Sequence, residues 1–337
     1  MAFLRWEIYR MTDGCVERTV FNPQNQLEQL RQFSEVVADT GDIASFVNYQ
    51  PKDVTTNPSL LYQVAEKQEY VPLVKEAIDR AMRPAGFDVD LCLDVLAVAI
   101  GRELLQLIPG VVSTEIDARL SFDSEAMIAR AERLIALYHD YGIDKTRVLI
   151  KIASTWEGIV AARVLEQQGI HCNMTLVFSK EQAIACAEAD AYLISPFVGR
   201  VQDWYKEKSI AYDGHPGIDL VREIHRCFKQ ADFKTVVMAA SFRSSDEVVA
   251  LSGCDRLTIP PKVLAQLQEK TAGFERALVN DIAVASDDSK IAAMTEAKFR
   301  WAMNQNPMAE EKLADGIRRF AKDTVLLEEK MRAAAKY

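Results

Sequence analysis

A lysine stands in the middle of the apolar run Val148-Leu149-Ile150-Lys151-Ile152-Ala153. Such a run reads as a strand buried on both faces, where an ammonium group is costly unless it is paired or neutralised. Desolvation disfavours the charged form of an amine and leaves a neutral nucleophile. A nucleophilic amine attacks a carbonyl and forms a Schiff base, which then serves as an electron sink for cleaving a neighbouring C–C bond. Protons must also move: water leaves the carbinolamine, and a substrate hydroxyl loses its proton as the bond breaks. Carboxyl groups of adjusted pKa can serve both steps, and Asp39 and Glu115, on separate apolar stretches, are the candidates. The simpler alternative is that they only pair with Lys151.

Other polar residues end apolar stretches in the same way. Asn57 and Asn173 could hold the hydroxyls of a polyol, donating and accepting at once. Thr175, Ser195 and Ser241 add hydroxyls. Arg200 and Arg243 suit bidentate binding of phosphate, whereas either one alone reads more readily as a surface ion pair. One such group could be a satisfied core residue; an amine, two carboxyls, two carboxamides and several hydroxyls together argue a site.

The elements that must position them are short β-branched runs at 34–39, 53–57, 110–117, 147–153, 171–178, 191–198, 234–241 and 255–260. Helical patterns fill most of the gaps. Residues 124–142 put Met127, Ile128, Ala131, Leu134, Ile135 and Tyr138 on one face and end at Gly142; residues 155–169 are similar and end at Gly169. Eight strands alternating with helices predict an α/β fold, a single (β/α)8 TIM barrel with additional helices and a helical C-terminal segment. An open doubly wound sheet competes, but the chain has neither G-x-G-x-x-G nor a Walker sequence. In a barrel the active site opens at the C-terminal ends of the strands, where the polar residues above fall. Beyond Pro261 the pattern is helical with a polar patch at 284–290, and residues 316–337 read as a solvated amphipathic helix.

The 337 residues suffice for a substantial core, and 49% apolar with 26% charged residues is an ordinary globular mix. A net charge of −9 argues against nucleic acid and anionic membranes as partners, so any phosphate must be met by local arginines. Six scattered cysteines without a C-x-x-C pair suit reduced thiols in the cytoplasm. His139, His171, His215 and His225 lack metal-ligand spacing and read as structural or exposed, and Trp156 as a packing residue. No stretch approaches the roughly 20 apolar residues of a membrane helix. Residues 1–24 have no signal-peptide or transit-peptide pattern and read as a poorly ordered extension or docking arm; 25–337 read as one catalytic domain.

Seven ordered motifs carry a resemblance: VVADTGD, TTNPSL, STEIDARLSFD, VLIKIASTWEGI, CNMTLVFS, LISPFVGR and SFR. In order and spacing they are similar to the long, classical subfamily of the transaldolases, over nearly the whole chain from Asn25. The resemblance implies Schiff-base transfer of a dihydroxyacetone unit from sedoheptulose 7-phosphate to glyceraldehyde 3-phosphate, in the non-oxidative pentose phosphate pathway, without metal or organic cofactor. By motif, Lys151 would form the Schiff base, Asp39 act at the C4 hydroxyl, and Glu115 act through a water held by Thr175. Asn57, Asn173 and Ser195 would grip the dihydroxyacetone hydroxyls, Phe197 pack beside the reacting carbons, and Arg200, Ser241 and Arg243 receive the phosphate. A homodimer is the expected assembly. This chain departs from the family pattern at Ser244-Ser245, in the shorter loop 206–219, and in MAAS and LTIPP; none of these removes a catalytic position. Two alternatives stay open: an aldolase that releases dihydroxyacetone to water, and a catalytically silent sugar-phosphate-binding scaffold.

Overall fold

The computed structural model describes residues 6–12, 15–21, 25–279 and 293–336. Each of the eight predicted runs contains one barrel strand. These are β1 (Glu35–Asp39), β2 (Asp53–Thr55), β3 (Val112–Glu115), β4 (Val148–Ala153), β5 (Cys172–Val177), β6 (Leu193–Pro196), β7 (Val236–Ala239) and β8 (Arg256–Ile259). They close in chain order into a parallel barrel, β8 pairing with β1. Residues 6–12 and 15–21 form a two-stranded antiparallel ribbon outside it. The polar patch at 284–290 lies outside the described residues.

Side-chain alternation explains how a buried strand can carry a lysine. On β4, Ile150 and Ile152 face outward into the core shared with the helices. Leu149 faces inward and meets Val37, Leu193 and Met238 from three other strands, an apolar layer inside the barrel. Successive residues point to opposite faces, so the layer two residues further on contains Asp39, Lys151, Ser195 and Ala240. The apolar layer below thereby sets the depth of the polar one. Below it, Arg256 of β8 pairs with Asp53 of β2 at 2.8 Å and donates to Tyr192 Oη at 3.0 Å.

The predicted helices span Ser124–Asp140 and Trp156–Gln167, stopping just short of Gly142 and Gly169. Trp156 packs against Phe299, with ring centroids 5.6 Å apart. Among the described residues no helix is long and apolar enough to cross a membrane.

The helix Pro307–Ala334 is more than a solvated amphipathic helix. It buries Leu313, Ile317, Phe320, Leu327 and Met331 and is tied to three helical segments that follow barrel strands, Pro58–Ala65, Ala118–Leu120 and Gly199–Glu207. Glu311 accepts from Trp204 Nε1 at 2.9 Å, and Lys312 pairs with Glu207 at 2.9 Å. Asp323 accepts from Ser59, and Glu328 pairs with Arg119. Gly316 is its closest approach: a Cβ there would lie 2.7 Å from Leu176 Cδ2 and 3.2 Å from Arg200 Nη1. Two effects oppose each other in Gly316→Ala. Helix propensity favours alanine by about 1 kcal/mol, whereas overpacking a filled site costs about 1–3 kcal/mol. Leu176 is fully buried and cannot swing aside, so the variant is expected to be less stable in a denaturant titration. A gain in stability would refute the close seating of this helix.

Candidate active site

A cavity of about 250 Å³ opens at the C-terminal ends of the strands, and Asp39, Asn57, Lys151, Thr175, Arg200 and Arg243 are among its walls. A larger one, about 950 Å³, lies at the opposite end among Glu35, Lys52, Lys229 and Arg256. Several of its charges are already engaged in ion pairs: Lys52 with Glu35, Lys229 with Asp255 at 2.8 Å, and Arg256 with Asp53 at 2.8 Å. The smaller cavity contains the reactive groups.

Register brings Glu115, Lys151 and Asn173 side by side on β3, β4 and β5. Lys151 is 5% exposed. Its Nζ donates to Thr56 O at 3.0 Å and lies 2.9 Å from Glu115 Oε2, an ion-pair distance without the alignment of a hydrogen bond. The Glu115 side chain is 4% exposed. Burial raises its pKa, and Lys151 and Arg200 offset that only in part. Burial raises the pKa of Asp39 as well, against the pull of Lys151, a hydrogen bond from Thr55 and the charge of Arg200. Two carboxyls inclined to hold a proton therefore flank one amine, an arrangement suited to proton transfer.

Thr175 Oγ1 is buried and meets no protein partner among the described residues. A buried hydroxyl in a polar cavity is a natural seat for a water. Asn57 caps the helix Pro58–Ala65 by accepting from Leu60 N at 3.0 Å, which fixes its carboxamide at the cavity wall. Asn173 lies deeper. Its Nδ2 donates to Ser113 Oγ at 3.0 Å, and its Oδ1 accepts from Ser195 Oγ at 2.6 Å. Phe197 lines the cavity, with its ring 5.4 Å from that of Phe178.

At the outer end Arg200 lies between two aromatic rings, 5.0 Å from Phe197 and 5.3 Å from Phe320. Its Nη1 is buried without a hydrogen-bond partner among the described residues. Burial lowers its pKa, as do the charges of Arg319 and Arg243. Arg243 pairs with Asp203 at 2.8 Å, and its backbone N–H donates to Glu247 at 2.7 Å. Ser241 sits at φ 66, a left-handed conformation that costs a non-glycine residue about 1–3 kcal/mol. Its carbonyl accepts from Gly199 N at 2.8 Å, an approach too close for a Cβ at 199. Ser244 caps the helix Ser245–Val249, which gives the Ser244-Ser245 departure a local structural role.

The sequence reading missed several contributors. Thr55 donates to Asp39 Oδ1 at 2.9 Å and shares a 2.7 Å hydrogen bond with Thr258; both lie inside the barrel on β2 and β8. Inward alternation within their strands was the available signal. Arg319 and Phe320, on the helix Pro307–Ala334, left none, because nothing local says which barrel face a helix will cross. The histidines lie away from the cavity: His171 pairs with Glu166 at 2.8 Å and His215 caps a helix. Among the described residues Cys92, Cys172, Cys186, Cys227 and Cys254 are free thiols.

The fold, with an enclosed polar cavity at its mouth, defines a (β/α)8-barrel enzyme. The chain belongs to the transaldolase/fructose-6-phosphate aldolase family, whose model matches residues 36–331. It is 52% identical over 317 residues to a transaldolase of Shewanella pealeana, covering 91% of this chain and 99% of that protein. A transaldolase of Shewanella baltica is 53% identical over 310 residues, covering 90% and 96%. One from Marinomonas is 50% identical over 317 residues, covering 92% and 99%.

Proposed function

We propose that the cavity carries out transaldol transfer through a Schiff base on Lys151. Family membership makes the chain an enzyme of the transaldolase type acting on sugar phosphates; the assignment of roles to residues is the proposal. The Lys151 amine attacks the C2 carbonyl of a ketose phosphate such as sedoheptulose 7-phosphate. The carbinolamine loses water to give the imine, with Glu115 moving the proton through a water held by Thr175. Asp39 takes the proton of the C4 hydroxyl as the C3–C4 bond breaks. The aldose phosphate leaves, and the bonding pair passes into the imine to form an enamine. Asn57, Asn173 and Ser195 retain the three-carbon unit until it attacks the carbonyl of glyceraldehyde 3-phosphate. Hydrolysis then frees Lys151. Arg200, Ser241 and Arg243 receive the phosphate. The free thiols fit action in the cytoplasm.

The observation that carries this reading is a 5% exposed lysine beside a protonatable carboxyl in a polar cavity. Borohydride reduction in the presence of fructose 6-phosphate should leave a dihydroxyacetone-sized adduct on Lys151, mapped by peptide mass. No adduct, or an adduct on another lysine, would overturn it. Product analysis separates the aldolase alternative, which would release free dihydroxyacetone at comparable rates whether or not an acceptor is present.

A further inference from the structure

We propose that Arg319, carried to the mouth of the barrel by the helix Pro307–Ala334, is a third guanidinium of the phosphate subsite and a specificity-determining residue of the reaction. The inference rests on the phosphate reading of Arg200 and Arg243. Three arginines, Arg200, Arg243 and Arg319, line one end of a cavity of about 250 Å³. Gathering like charges in a partly buried place is unfavourable unless an anion joins them. The cost is visible at Arg200, whose charged form is disfavoured by both of the other arginines. The same guanidinium has a buried Nη1 without a partner among the described residues, on the side where Gly316 lets the helix approach. An unpaired buried donor amid surplus positive charge calls for an oxygen-rich anion, and phosphate supplies several acceptors.

The two outer arginines are each engaged by one aspartate. Arg243 Nη2 lies 2.8 Å from Asp203, and Arg319 Nε lies 2.9 Å from Asp315. Asp315 sits one turn back on the same helix, and the Arg319 side chain is 62% exposed, open to an anion at the mouth of the cavity. Phe320, the next residue, lies against Arg200, so one turn of helix both braces the inner arginine and presents the outer one. The bland alternative is an i,i+4 pair on a surface helix, which adds little to stability and nothing to binding.

Steady-state kinetics on wild type, Arg319→Gln and Arg319→Lys decide between them. Fructose 6-phosphate and fructose serve as donors, and inorganic phosphate as a competitive inhibitor. Arg319→Gln is expected to raise KM for fructose 6-phosphate about tenfold, as loss of hydrogen bonds to a charged group implies. Its kcat should change less than twofold, and inhibition by inorganic phosphate should weaken in parallel. Arg319→Lys should recover part of the loss, because a point charge cannot reproduce the planar fork. The proposal is overturned if Arg319→Gln keeps the wild-type KM and the wild-type inhibition by phosphate. A wild type that uses fructose as well as its phosphate, and ignores inorganic phosphate, would overturn the phosphate reading itself, and this inference with it.

Discussion

Lys151→Ala should lose turnover by on the order of 10⁴–10⁶-fold, as removal of a covalent nucleophile does, and should take up no borohydride-trapped adduct. The fold should survive. The side chain removed is mostly methylenes, and the carboxyl left behind is already inclined to neutrality by its burial. Glu115 can therefore keep its proton, which avoids an uncompensated buried charge. Lys151→Met, which preserves most of the volume, separates packing from chemistry and should be as inactive as the alanine variant. Circular dichroism and a denaturant titration check the fold, and a coupled assay checks activity. Retention of a few per cent of wild-type turnover by either variant would exclude Lys151 as the amine that carries the substrate.

The two carboxyl groups should fail in different ways. Glu115→Gln is expected to slow imine formation and hydrolysis, and Asp39→Asn to slow C–C cleavage, each by about 10²–10⁴-fold. Trapping distinguishes them directly. With fructose 6-phosphate and borohydride, Asp39→Asn should accumulate an adduct of the intact six-carbon phosphate, whereas wild type yields the three-carbon adduct. Glu115→Gln should be trapped slowly as either species. Identical adducts forming at identical rates in both variants would leave the division of roles without support.

Asp39→Asn carries a second expectation, in stability. Burial raises the pKa of Asp39, so the folded chain binds that proton more tightly than the unfolded chain does. Stability then falls as pH rises from the ordinary carboxyl range through the raised native value. The asparagine variant lacks this loss and can still accept the Thr55 hydrogen bond at Oδ1. It should therefore be the more stable protein at pH 7, with the difference shrinking toward pH 4. Stability curves for the two proteins that run parallel across that range would remove burial as the main influence on Asp39.

Eight alternating strand and helix patterns were legible in the sequence because the barrel is built from local units. Each strand is a short apolar run, and each helix has a periodic face with a stop near glycine, as at Gly142 and Gly169. Lys151 was legible for a related reason: a charged group inside an apolar run is locally anomalous whatever surrounds it. Asp39, Glu115, Asn57 and Thr175 could be named from the ends of their strands, where a barrel keeps its polar residues.

Tertiary structure alone decided how these groups meet. Register sets Glu115 beside Lys151, and strand pairing of this kind is fixed by the packing of the whole sheet. The support of Asp39 by Thr55 and Thr258 depends on β8 closing against β1, two segments more than 200 residues apart in the chain. The helix Pro307–Ala334 is the clearest case. Its amphipathic pattern showed that one face is buried, but a hydrophobic stripe carries no address. Only the assembled barrel, with Gly316 against Leu176 and Phe320 against Arg200, turns that helix into a wall of the site and brings Arg319 to its mouth.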